Sequence, residues 1–310
     1  MGKISKLIYS TRHVTLSTDS WTCIRGYAYT AVNVHVVITD FKLATICAGL
    51  VRFDKSDYKK ANAAALASQL RDILIDFPRN SLGRTCLDMA SAITADGAAV
   101  MAATATALGK TYSHCLGHRI QLCIKEFVLK DDAICAFIGI ASKIVSHVRR
   151  STSASDTIGN RLQTFSRTRF NSYLIMVSSV LKNWTKIKEY AQTIRDKFLN
   201  SVCEFENFLP KAVIVCFLLE KIATLCTNLT SDKITLHLTL MEVNFFEYQI
   251  AQISTAHISQ SNLFTGHLDH SEIELHLPHF RRHFLDCWRD RYVSLLLIFL
   301  LFFFTFSNFF

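Results

Sequence analysis

Two aspartates have the type and setting to do chemistry. Asp19 closes the stretch Val14-Thr-Leu-Ser-Thr-Asp19-Ser-Trp21-Thr22, and Asp96 follows the apolar lead-in from Met89 to Thr94. Both read as acids at the ends of strands, a position that holds a carboxylate rigidly at a sheet edge. Paired acids on neighbouring strands suit a hard divalent cation. Mg²⁺ takes carboxylate oxygens, keeps waters, and accepts phosphate oxygens to complete its shell. Two such ions, roughly 4 Å apart, activate an attacking hydroxyl and stabilise the leaving oxygen of a phosphodiester. The bland alternative for Asp96 is that it caps the alanine-rich helix behind it.

Other clusters are weaker. Cys115-Leu-Gly-His118 supplies half a zinc site, with no second Cys/His pair in view, so a structural or site-lining role is expected. Five histidines (His267, His270, His276, His279 and His283) fall within 17 positions. Pro278 interrupts any helix that would align them, so they read as solvated surface.

The elements that must position these residues are legible by pattern. Residues 14 to 53 read as three strands. In the second, Val32, Val34, Val36 and Ile38 alternate with Ala31, Asn33, His35 and Val37, and Asp40 supplies the turn to a third strand at Leu43 to Phe53, antiparallel to the second. Leu66, Leu70, Ile73, Leu74 and Phe77 mark an amphipathic helix that Pro78 ends. A turn-rich linker (Arg79 to Thr85) leads to the strand before Asp96, then to a helix broken at Gly109. After His118 the texture becomes helical. Ile134, Phe137, Ile138, Ala141, Val145 and Val148 form one stripe, and Tyr173, Val177, Val180, Leu181 and Trp184 form another. From Asn160 to Thr265 there is no glycine and one proline, Pro210. Arg149 to Gly159 reads as a polar, mobile connection.

The 310 residues are half hydrophobic, enough for two cores, and the net charge of +9 favours nucleic acid or another anionic partner. No small-molecule substrate is evident. Ten scattered cysteines without a CxxC pair, behind an N-terminus that leads straight into strand-like sequence, point to reduced thiols in an intracellular protein. The run from Ser294 to Phe310 carries no charge and sits at the lower limit for a membrane span, with arginines on its flank. Either it anchors the chain or it is unrelated sequence read through after Arg291.

Four blocks in order resemble the catalytic region of hAT superfamily transposases and the related zinc finger BED domain-containing proteins. They are Ser17-Thr-Asp19-Ser-Trp21-Thr22, Thr94-Ala-Asp96-Gly-Ala-Ala-Val-Met101, Cys115-Leu-Gly-His118 with Arg-Ile-Gln121-Leu122, and Thr168-Arg169-Phe170-Asn171-Ser172-Tyr173. The resemblance implies an α/β fold with an RNase H-like domain (mixed sheet, strands 1–3 antiparallel) at 1–130 and an incomplete helical insertion at 131–291. The apolar tail at 292–310 would lie outside the fold. It implies a DDE-type metal site with Asp19 and Asp96 as Mg²⁺ or Mn²⁺ ligands for DNA cleavage and strand transfer, and Trp21, Cys115 and His118 as motif residues. It implies DNA contact through Arg169 and Phe170, with Phe170 standing where the family has a base-stacking Trp, and a nuclear location, a membrane anchor through the tail being the alternative.

The departures are as informative. The family has Asn in place of Gly97, a third catalytic Glu beyond the insertion, and a dimerisation segment after it. Glu220, Glu242, Glu247, Glu272 and Glu274 are present, but none sits in a matching context. No Cys-x2-Cys of a BED finger precedes residue 14. The expectation is a transposon-derived protein with an incomplete catalytic set, binding DNA weakly and without sequence preference, with self-association left open. The competing expectation is a non-catalytic DNA- or protein-binding module.

Overall fold

The computed structural model describes residues 2–37, 43–53, 63–159, 161–165, 172–194, 197–229, 236–264 and 268–306. The chain forms two compact units, Met1–Arg119 and Ile120–Phe310.

In the first unit a short helix, α1 (Lys3–Tyr9), precedes three strands: β1 (Val14–Thr22), β2 (Ala28–Val37) and β3 (Leu43–Phe53). Helix α2 (Ala63–Asp76) and the single turn α3 (Cys86–Met89) lead to β4 (Ala90–Ala95), then α4 (Ala99–Ala107) and β5 (Thr111–His114). The sheet order is β3-β2-β1-β4-β5, with β2 antiparallel to both β1 and β3, and with β1, β4 and β5 parallel. The fold class is therefore mixed α/β. Helix α1 departs from the strand-like N-terminus expected from sequence. Ile8, fully buried, docks it into the core, and Thr11 Oγ1 donates to Leu7 O at 2.8 Å to close its end.

The period-two alternation explains the sheet's two faces. Val14, Leu16, Val32, Val34, Val36 and Ile93 point to one side, where Leu66, Leu70 and Leu74 of α2 and Met101 and Ala105 of α4 complete a single core. The other face is polar. Ser17 Oγ lies 2.7 Å from His35 Nε2, and His35 Nδ1 lies 2.9 Å from Thr45 Oγ1, a row that ties β1, β2 and β3 together. Burial holds the His35 pKa below its ordinary value. The β1–β2 hairpin turns at Gly26, whose φ of 81° is the left-handed region that glycine enters without strain. Ile38 and Asp40 lie outside the described residues.

The second unit is helical among its described residues. Helix α5 (Leu116–Leu129) begins in the first unit and continues into it. Helix α6 (Asp132–Arg150) buries Ile134, Phe137, Ala141, Val145 and Val148, and adds Ile140 and Ile144 to the stripe, whereas Ile138 is only half-buried. The segment expected to be a mobile connection is instead the helix α7 (Thr152–Ile158). Ser151 caps its start by accepting from Ala154 N, and Gly159 ends it at φ 71°. Serines in the sequence that look like loop formers serve here as a cap and as helix residues.

Helices α8 (Ser172–Lys182), α9 (Trp184–Thr193) and α10 (Lys197–Glu206) follow, then α11 (Leu209–Leu229). Helix α11 is long and apolar enough to cross a membrane by length and composition, yet more than half of it is buried inside the unit. A helix apolar all round is a buried one, and a protein core meets that requirement. Helix α12 (Leu236–Ala251), α13 (Thr255–Ser259) and α14 (His270–Phe306) close the unit. Helix α14 runs uninterrupted through Pro278, correcting the expectation that proline breaks it. Ile273, Leu277, Phe280, Phe284 and Trp288 anchor its inner face with at most 5% exposure, and that burial outweighs the lost backbone bond.

Candidate functional site

Asp19 lies inside β1, three residues before its end at Thr22, which corrects the expectation that it closes the strand, and Asp96 follows β4 directly. Strands β1 and β4 are neighbours and parallel, with Ser17 opposite Thr94. The pairing ends there, and Asp19 and Asp96 each lie two residues further along the chain. Asp19 shares the polar face with Ser17, and its own antiparallel partner is Ala31. Asp96 lines a cavity of about 380 Å³ with Ser20, Trp21, Thr30, Leu66 and Met101. Asp19 does not line that cavity. The structure thus brings Asp96 and Trp21 together and places Asp19 on the adjoining strand.

Asp96 is held by its backbone as well as its side chain. Its Oδ1 accepts from Ala98 N at 3.1 Å, a turn two residues ahead of the helix rather than an N-cap bond. Ala98, the N-cap of α4, offers no side-chain cap. The Tyr112 hydroxyl donates to the Asp96 carbonyl. Burial, then the charge of Asp96, raises the Tyr112 pKa against the opposing pull of Arg119. Trp21 is 44% exposed and stacks on Tyr29 at 5.8 Å between ring centroids.

Cys115 joins the same strand ends, its N–H donating to Ala95 O at 2.7 Å. His118 lies in the first turn of α5, its ring 5.6 Å from that of His114. His114 also stacks on Tyr112 at 6.3 Å. A side chain at Gly97 would place its Cβ 2.7 Å from the His114 ring, so the small residue after Asp96 and the imidazole on β5 depend on each other. Tyr112 and His114 were not legible as site residues. Their signal is the alternation Tyr112, His114 within the short strand that delivers Cys115.

Among the described residues no group of three or more His, Cys, Asp or Glu side chains is arranged to hold a metal ion. Asp19 and Asp96 are carboxylates of the kind Mg²⁺ or Mn²⁺ takes, the rest of such a shell falling to water and phosphate. Arg169 and Phe170 lie outside the described residues. On either side of them, Phe165 and Tyr173 stack at 4.5 Å.

The histidines of α14 are only in part the solvated surface expected of them. His279 Nε2 meets the buried Asp131 carboxylate at 2.8 Å, and His283 Nε2 donates to Phe127 O at 2.9 Å. His276 is partly buried beside Glu272. His267 lies outside the described residues. Burial pushes the Cys86 thiol up to about 11, and burial also raises Cys123, Cys216 and Cys287, so these cysteines are neutral packing groups at neutral pH. No family model matches this chain, and no curated protein does.

Proposed function

We propose that the first unit is an RNase H-like core of hAT transposase type, descended from a Mg²⁺- or Mn²⁺-dependent DNA-cleaving and strand-joining enzyme and catalytically incomplete in this chain. One observation carries the reading: Asp19 inside the first strand and Asp96 directly after the fourth stand on adjacent parallel strands of a sheet ordered 3-2-1-4-5 with its first three strands antiparallel. Asp19 and Asp96 would hold one divalent ion, which supplies charge to a phosphate oxygen and to the attacking oxygen. Asp96 is pre-positioned for this by Ala98 N and Tyr112. That no glutamate stands in a sequence context matching the third acid favours a non-catalytic descendant that keeps nucleic acid as its partner, in the nucleus.

Trp21 supplies the test, because it is exposed while Trp184 and Trp288 are buried. Mn²⁺ should quench its fluorescence with weak, saturable binding, and Asp19→Asn with Asp96→Asn should abolish the saturable part. Quenching that is the same in wild type and the double variant would remove the metal pair. Labelled duplex ends incubated with either metal should remain uncut. Cleavage that the Asp96→Ala variant lacks would show a complete site.

A further inference from the structure

A second surface lies at the other end of β1. Helix α1 and the residues that join it to β1 line a concavity of about 790 Å³, with Lys3, Lys6, Ser10, Thr11, Arg12 and His13 on its wall. Three permanent cations, one imidazole and two hydroxyls face one open groove, and no acid among the described residues lines it. Lys3, Lys6 and Arg12 are exposed, and none forms an ion pair among the described residues.

The groove is also held in shape. Ile8 fixes α1 in the core, Ser81 N donates to Tyr9 O at 2.8 Å, and Asn80 Nδ2 donates to Thr11 O at 3.0 Å. Asn80 is itself buried, and its Oδ1 accepts from Leu82 N and Arg84 N. A buried amide with three bonds clamps the backbone that carries Arg12 and His13. A preformed cationic surface loses less entropy on binding than a flexible basic tail.

We propose that this groove binds the phosphodiester backbone of duplex DNA through Lys3, Lys6 and Arg12, without reading bases. Phosphates spaced along a ridge match cations spaced along a groove, and Ser10 adds a hydroxyl donor of the kind that contacts phosphate. An anionic bilayer fits less well. Helix α1 has seven residues, and its most buried apolar side chain, Ile8, is committed to the protein core. Arg12 stands seven residues from Asp19 along an extended strand, so the groove lies about 20 Å from the acids. The inference extends the nucleic-acid side of the proposed function and does not depend on the metal pair.

The test measures fluorescence anisotropy of a labelled 20-base-pair duplex with the full chain, in EDTA, across a salt series. Lys3→Glu with Lys6→Glu and Arg12→Glu should weaken binding at least about ten-fold and flatten the slope of log affinity against log salt by about 2.7, the value for three lost phosphate contacts. Lys125→Glu with Lys143→Glu and Arg282→Glu makes the same charge change elsewhere on the exposed surface and should leave most of the affinity. Asp19→Asn with Asp96→Asn should bind like wild type, which separates failure of the groove from failure of the metal reading. Unchanged melting temperatures establish that each variant is folded. Equal losses in the two charge-reversed variants, no duplex binding by wild type, or binding to phosphatidylserine vesicles in preference to the duplex would each overturn the proposal.

Discussion

Replacing Gly97 by alanine tests the packing that sets Asp96. The new Cβ would stand 2.7 Å from His114 Cε1 and Nε2, against an optimal separation of about 3.5–4.0 Å between carbon atoms. One partner must move by about 1 Å. The ring has little room, because it stacks on Tyr112 and lies tilted against His118, and Cys115 N–H pins the end of its strand to Ala95 O. Overpacking of this kind costs about 1–3 kcal/mol. Alanine returns about 0.4–1 kcal/mol by stiffening the unfolded chain. The expected net loss is about 1–2 kcal/mol, which lowers a urea midpoint by about 0.5–1 M when m is about 2 kcal/mol/M. The assay is urea unfolding of wild type, Gly97→Ala, His114→Ala and the double variant. The cycle should show a coupling of at least about 1 kcal/mol, with His114→Ala relieving the cost of Gly97→Ala. A Gly97→Ala protein as stable as wild type, or an additive cycle, would refute the argument.

Three further outcomes follow from the second unit. Burial alone would raise Asp131, but hydrogen bonds from His279 and Ile134 N and the nearby histidine charges lower it, so its carboxylate stabilises the fold above the unfolded pKa of about 3.9 and that contribution is lost as pH falls through the folded value. His279→Ala removes the depression, so acid unfolding followed by circular dichroism should begin at higher pH than in wild type, and an unmoved acid limb would contradict the ion pair. Pro278→Ala, at an exposed position inside α14, should stabilise the unit by about 1–3 kcal/mol by restoring a backbone donor, and a lower melting temperature would show that the proline is required there. Truncation after Val293 should improve solubility and leave the melting temperature within about a degree, because Trp288, and Arg291 with its bond to Glu126, remain; a drop of several degrees would place the tail in the core.

How far the fold could be read from the chain depended on whether local pattern or remote packing decided each element. The β1–β2–β3 sheet and α2 follow from alternation and a helical stripe, because their inner faces share one core. Helix α1 was hidden because it is short: Ile4, Leu7 and Ile8 fall at helical spacing, but over seven residues, and only Ile8 is buried. Pro278 misled for the converse reason: a local rule worth about 3 kcal/mol lost to the burial of five large side chains along α14. In the candidate site Asp96 was visible because an apolar run gives way to a charge at the end of β4, whereas Asp19 interrupts β1 three residues before its end. The groups that hold Asp96 were not. Tyr112 acts through its hydroxyl on a backbone carbonyl, and Gly97 by the absence of a Cβ beside His114; neither leaves a pattern in sequence. A missing atom and a backbone contact are properties of the folded chain, so the support of an acid becomes readable only once β4 and β5 lie side by side.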